Sequence, residues 1–310
     1  MSETSPHQII GRFAPSPTGC LHTGSLVAAV GSYLMAKRAG GRWLLRIDDL
    51  DAPRQVAGMD DDIMRTLESF GLFWDGQVAR QSRHLDHYRQ AFDLLRHKDL
   101  LYPCGCSRKE IALAASAPHP DDDCVPYSGS CRTGMKAGAV VRSWRIRVPE
   151  DEVCFRDLRR GHICQNLADV CGDFAVRRAE CDYLYQLAVV VDDALAGVTQ
   201  VVRGDDLLSS TPRQIYLLRM LGMPQPEYCH LPLLAGPDGA KLSKRDNLIS
   251  QQPGSLKGQE GQLLLAVLRF LGQNPPAELA GSECQDILGW GIACFDTALL
   301  PAQGGVLQVQ

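Results

Sequence analysis

Apolar and polar positions along the first hundred residues switch between the two periods that mark strands and helices. Gln8-Ile9-Ile10 opens a short apolar run of strand type. Leu26 to Arg38 then carries apolar residues at helical spacing and stops before Gly40-Gly41. Trp43-Leu44-Leu45-Arg46-Ile47 supplies a second strand. Strand, crossover helix and strand form a βαβ unit, and the pairing it implies is parallel. Residues 59–72 and 84–98 read as amphipathic helices, the first closed by Gly71. Residues 139–148 alternate like a half-buried strand. Tyr183 to Asp193 is valine-rich and reads as the approach to a buried strand; Val198 to Asp206 follows, with Arg203 at its end. Thr211-Pro212 marks a helix start, Thr211 as the N-cap, and that helix stops at Gly222. Gln262 to Leu271 and residues 283–299 read as further helical segments, and residues 301–310 look loose.

The turn between the first strand and its helix holds the most chemistry. It runs Gly11-Arg12-Phe13-Ala14-Pro15-Ser16-Pro17-Thr18-Gly19-Cys20-Leu21-His22-Thr23-Gly24-Ser25. Its prolines stiffen the turn, and Gly19 and Gly24 admit a ligand close to the backbone. The helix N-terminus behind it offers unpaired N–H groups to a phosphate, and His22 is a donor for charge that develops there. The second strand ends in Asp48-Asp49, at the sheet edge where open α/β folds bind ligands. A carboxylate there suits an ammonium group. Arg203 ends a later strand, and a guanidinium grips a carboxylate through two parallel hydrogen bonds. Lys241-Leu242-Ser243-Lys244-Arg245 follows Gly236 and Gly239, with Lys244 foremost in neutralising a leaving phosphate and Lys241 in support. Cys104, Cys106 and Cys131 offer three thiolates where zinc takes four ligands.

Composition narrows the class. The chain has 310 residues, 45% hydrophobic and 22% charged, as in a globular domain with a full core. No apolar run approaches the ~20 residues of a membrane span, and MSETSPHQ lacks secretory features, so a cytoplasmic protein is expected. The net charge of −4 is unevenly spread: residues 48–75 carry eight acids against two arginines, and residues 132–178 carry ten basic against six acidic residues. That second stretch suits phosphate contacts, or a solvated salt-bridged face. Twelve cysteines in such a chain argue against a disulfide framework.

PSPTG-x-LH-x-GS resembles the HIGH-type signature of class I glutamyl- and glutaminyl-tRNA synthetases. Lys241 to Arg245 resembles their KMSKS signature, and Val202-Arg203-Gly204 their V-R-G-x-D-L segment. The resemblance spans roughly residues 9–250. It implies a Rossmann-type (HUP) α/β parallel sheet built from nucleotide-binding halves at 1–100 and 183–255. Between them it implies a zinc-bearing, tRNA-contacting α/β insertion at 101–182, and after them a short helical region at 256–310 without an anticodon-binding domain. It assigns glutamate to Arg12, Phe13, Ala14, Pro15, Ser16, Asp48, Tyr185 and Arg203. ATP, with Mg2+, goes to His22, Gly24, Ser25 and Lys244, and catalysis to His22, Lys244 and Lys241. Zn2+ goes to Cys104, Cys106, Tyr127 and Cys131, with Cys124 competing for the fourth position. The family has Glu where this chain has Asp48, a side chain shorter by roughly 1.5 Å.

The resemblance is strongest to the truncated branch that activates glutamate without tRNA and esterifies the queuosine base of tRNA(Asp). It implies L-glutamate and queuosine-bearing tRNA(Asp) as partners, no membrane, and a monomer. A minimal glutamyl-tRNA synthetase charging tRNA(Glu) and a non-catalytic tRNA-binding paralogue are the alternatives.

Overall fold

Two strands with a buried helix between them set the frame. The computed structural model describes residues 8–107, 109–111, 126–179, 182–236 and 258–309. Strands β1 (Ile10–Phe13) and β2 (Arg42–Ile47) run parallel, with Ile10 opposite Arg42 and Phe13 opposite Leu45. Helix α1 (Thr23–Arg38) crosses between them. It buries residues on nearly every face, among them Leu26, Ala29, Val30 and Leu34, so it reads as apolar rather than amphipathic. Helix α2 (Met59–Ser69) starts after Gly58 with Asp60, Asp61 and Asp62 in its first turn, where the helix dipole favours negative charge. Strand β3 (Ala79–Arg80) then adds to β2 in parallel.

A second layer follows. Helix α3 (Leu85–His97) leads into β4 (Leu101–Cys104), and β4 pairs antiparallel with β5 (Ser143–Ile146). Strands β6 (Glu152–Asp157) and β7 (Gly161–Asn166) form a hairpin, followed by the short α4 (Leu167–Val170) and by β8 (Ala175–Arg178), which pairs with β5. Then come α5 (Tyr185–Leu195), β9 (Gln200–Gly204), α6 (Thr211–Leu221) and β10 (Glu227–Leu231). Strand β10 is parallel to both β9 and β6, giving the order β7-β6-β10-β9. The Thr199 N–H donates to Ile10 O at 3.0 Å, and the Ile10 N–H donates to Thr199 Oγ1 at 2.8 Å. Strand β9 therefore runs beside β1. The place where the chain reverses its strand order lies between them, and in open α/β sheets ligands bind at that point, outside the carboxyl ends. Helices α7 (Glu260–Phe270) and α8 (Cys284–Cys294) cover α1 and complete its apolar cluster.

Several expectations are corrected. Tyr185–Leu195 is helical, not the approach to a strand. Its Val189-Val190-Val191 run favours extended backbone locally, but Leu187, Val190 and Val191 fall on a helix face that is buried against the second core cluster. Thr211 is not an N-cap. A 3-10 turn over Asp205–Ser210 feeds directly into α6, and the Thr211 hydroxyl is engaged elsewhere. The strand expected over 139–148 is confined to Ser143–Ile146. The last described residues are not loose: Gly305 bridges Leu234, and Arg159 donates to the carbonyls of Pro301 and Ala302. Cys154 and Cys164, directly opposed on the β6–β7 hairpin, form a disulfide against the expectation of reduced cysteines. Cross-strand opposition supplies a proximity that sequence spacing does not reveal. Among the described residues, no helix is long and apolar enough to cross a membrane.

Candidate active site in the cleft at the strand ends

A cleft of about 710 Å3 opens where β1, β2 and β9 end. Its walls come from four distant parts of the chain. The signature turn contributes Arg12 to Ser16 together with His22, Gly24 and Ser25; β2 contributes Arg46 and Asp48; Tyr185 stands at the start of α5 and Arg203 near the end of β9. Every described residue that the sequence assigns to glutamate or ATP lines this one space. Lys241 and Lys244 lie outside the described residues, although Leu233 and Leu234, a few residues earlier, line the cleft. The turn is tied to the strand ends through its backbone: the Asp48 N–H donates to Pro15 O at 2.9 Å and the Val56 N–H to Pro17 O at 3.0 Å.

His22 is the N-cap of α1. Its Nδ1 accepts from the Ser25 N–H at 3.1 Å, so the neutral ring carries its proton on Nε2, 3.1 Å from Ser25 Oγ. Capping thus sets the tautomer and turns the Nε2–H toward the Ser25 hydroxyl at the helix mouth. A Cβ at Gly24 would stand 3.1 Å from His22 Nδ1 and 3.2 Å from its Cε1, so a larger residue there would have to push the ring aside.

The floor of the cleft is a buried charge network. Arg46 donates to Asp48 at 2.6 Å and to Asp193 at 2.5 Å, and lies 3.7 Å from Asp192. Arg12 donates to Asp193 at 3.2 Å. Asp192 also accepts from Gln81 and from the Tyr88 hydroxyl, both at 2.8 Å. Burial raises the Asp48 carboxyl to about 6; Arg46 opposes the rise, and Asp192 and Asp193 add to it. Burial likewise raises Asp193, yet Arg12 and Arg46 together hold it below the ordinary carboxylate value. Of this network Arg12, Arg46 and Asp48 line the cleft, while Asp192 also meets His84 Nδ1 at 2.7 Å; Asp48 is the network's carboxylate that faces the cleft and suits an ammonium ligand. Sequence reasoning singled out Asp48 and Arg12 but not Arg46, Asp192 or Asp193. Reading Tyr185–Leu195 at helical period would have brought the last two toward Tyr185.

Arg203, Tyr185 and Asp206 line the cleft as well. Arg203 is 5% exposed, and its Nη1 lies 3.4 Å from the Tyr185 hydroxyl. The cleft thus holds a carboxylate suited to an ammonium, Asp48, and a guanidinium suited to a carboxylate, Arg203, together with the N-terminus of α1.

A profile for the catalytic domain of class I tRNA synthetases (E and Q) matches residues 8–283. The chain belongs to this family. It is 57% identical to the glutamyl-Q tRNA(Asp) synthetase of Geobacter sulfurreducens, over 94% of each chain. It is 49% identical to that of Dechloromonas aromatica, over 98% of each. Among solved structures, a glutamate tRNA ligase from Elizabethkingia meningosepticum, in complex with its amino acid, superposes with a TM-score of 0.80 at 25% identity, covering 98% of this chain and 68% of the other. As a class I synthetase-like ligase, the chain places its cleft where the fold puts its ligands, and ATP use fits that family.

Away from the cleft, a second group comes together. Cys104, Cys106 and Cys131 have sulfurs within 4.8 Å of one another. The Tyr127 hydroxyl lies 3.3 Å from the Cys104 sulfur and 3.8 Å from that of Cys106, and the Cys106 and Cys131 sulfurs are 3.6 Å apart. A tetrahedron with Zn–S bonds of about 2.3 Å has edges near ~3.8 Å, so the set fits zinc in size and donor type. Arg145 stacks 3.8 Å over the Tyr127 ring and donates to the Cys104 sulfur at 3.4 Å, which suits an anionic site. Burial raises the Cys104 thiol, but hydrogen bonds from Tyr127 and Arg145 bring it down to about 7. Cys124 lies outside the described residues.

Proposed function

We propose that the chain activates glutamate with ATP to glutamyl-adenylate, without tRNA, and transfers the glutamyl group to the queuosine base in the anticodon of tRNA(Asp). The single observation that carries this reading is the cleft itself. The signature turn, the Asp48 carboxylate and the Arg203–Tyr185 pair meet in one space of glutamate-plus-nucleotide size. The names of the relatives support the choice of acceptor over tRNA(Glu).

In this reading Asp48 holds the α-ammonium, and Arg203 with Tyr185 holds the side-chain carboxylate. Arg12 and the turn to Ser16 shape the wall between them. The α-carboxylate attacks the α-phosphorus of ATP, carried as its Mg2+ complex. A carboxyl–phosphate bond forms, the bond to pyrophosphate breaks, and pyrophosphate leaves with its electron pair. The nucleophile is already ionised, so no general base is needed, and catalysis is orientation and charge stabilisation. His22 Nε2–H and the α1 N-terminus meet the phosphate charge; Lys244, aided by Lys241, takes that on the leaving group. Cys104, Cys106, Tyr127 and Cys131 would hold a zinc ion that ties the insertion together. A hydroxyl of the queuosine base then attacks the mixed anhydride, forming the ester and releasing AMP.

Transfer of labelled glutamate is the test. Queuosine-bearing tRNA(Asp) is expected to take up label and queuosine-lacking tRNA(Asp) to take none. Equal labelling of both, or label on the terminal ribose of tRNA(Glu), would replace this reading with that of a minimal glutamyl-tRNA synthetase.

A further inference from the structure

Arg203 is held in place by more than its strand. Its Nε donates to His230 Nε2 at 3.2 Å, and its Nη2 donates to Thr211 Oγ1 at 2.8 Å and to Leu207 O at 3.3 Å. A guanidinium has five N–H bonds, and three are taken by these partners. Only Nη1, beside the half-exposed Tyr185 hydroxyl, remains to turn toward the cleft. The bidentate grip expected from sequence is therefore not available: Nη1 alone turns to the cleft, and one of its hydrogens meets the Tyr185 hydroxyl at 3.4 Å.

The geometry explains why His230 accepts. Asp157, at the end of β6, receives four N–H bonds: one oxygen takes those of Arg159 and Arg160, and the other takes the His230 N–H at 3.0 Å and Nδ1 at 2.7 Å. A carboxylate so satisfied is an acceptor only, so Nδ1 carries the proton. The other ring nitrogen then turns its lone pair toward both the Arg203 Nε–H at 3.2 Å and the Thr211 hydroxyl at 3.0 Å. Were Nε2 also protonated, the Arg203 Nε–H would lose its acceptor and a second cation would stand beside the guanidinium in a fully buried site. Burial and the charge of Arg203 lower the His230 pKa accordingly, even against the opposing bond to Asp157. His230 and Arg203 stand directly opposite each other on β10 and β9, so sheet register delivers the pair.

We infer that His230, oriented by Asp157, is a positioning residue: it turns the Arg203 guanidinium so that Nη1 meets the side-chain carboxylate of the amino-acid substrate. The inference rests on the proposed glutamate activation. It predicts that amino-acid binding, not ATP binding, depends on the lone pair at Nε2.

His230→Asn and His230→Gln separate this role from simple packing. Asn keeps a donor near the Nδ1 position for Asp157 but withdraws the acceptor; Gln reaches the Nε2 position and restores it. In glutamate-dependent ATP–pyrophosphate exchange, His230→Asn is expected to raise the glutamate KM roughly tenfold to a hundredfold. The ATP KM should stay within about twofold, and His230→Gln should recover most of the loss. Thr211→Val, nearly isosteric, removes the Nη2 acceptor and is expected to raise the glutamate KM in the same selective way if neither histidine variant folds. An unchanged glutamate KM, an equal loss in the Asn and Gln variants, or a parallel rise in the ATP KM would overturn the inference. Wild-type protein without any glutamate-dependent exchange would instead sink the activation reading beneath it.

Discussion

Asp48 and His22 face the same cleft and answer to different tests. The Asp48 carboxyl is raised to about 6 because it is buried, with Asp192 and Asp193 nearby outweighing part of the help from Arg46. Its folded value lies above its unfolded one, so holding it ionised costs stability as pH rises through that window, and an ammonium ligand offsets the cost. Glutamate is therefore expected to bind best above about pH 6, with its KM climbing roughly tenfold per unit below it as Asp48 takes a proton. Exchange kinetics between pH 5 and 8 measure this, and a flat glutamate KM would contradict it. His22 combines a cap and a donor. His22→Asn keeps a capping acceptor, so the melting temperature should stay near wild type while exchange falls about 100- to 1,000-fold. A large loss of stability with modest loss of exchange would make His22 structural.

At the level of elements, the hairpins and turns of the insertion carry their own prediction. Gly172 has φ +61°, and a Cβ there would stand 2.2 Å from Tyr127 O. Gly172→Ala is expected to destabilise the thiolate cluster by about 2 kcal/mol or more, read as a lower melting temperature and weaker zinc retention. Metal analysis of reduced protein should find about one zinc per chain. None of the four ligands lines the cleft, so chelation should lower stability while sparing exchange more than transfer to tRNA. The legible elements were those whose pattern and packing agree. β1, α1 and β2 followed from Ile10, from the Leu26-to-Arg38 spacing and from Trp43 to Ile47, and the two amphipathic helices from their apolar stripes. The misread element, α5, shows the converse. Its valines prefer strands one by one, and only burial on both sides of the helix settles them. The cysteine and tyrosine set was legible from spacing and resemblance. The Asp157–His230–Arg203 chain was not, because its members meet only through the register of β6, β10 and β9.

Over the whole molecule, a parallel sheet reverses its strand order between β1 and β9, and the chemistry collects at that reversal. The final described residues reinforce it. Gly305 accepts from the Ala235 N–H at 2.8 Å, and a Cβ at Gly304 would stand 2.2 Å from Leu233 O, so this stretch lies against the chain that leads toward the second signature. The account turns on this cleft joining an amino acid to AMP. The most direct test is ATP–pyrophosphate exchange by the purified chain, with glutamate and no tRNA. Glutamate-dependent exchange that Arg203→Ala abolishes at ordinary glutamate concentrations is the predicted result; no exchange at any glutamate concentration would contradict it.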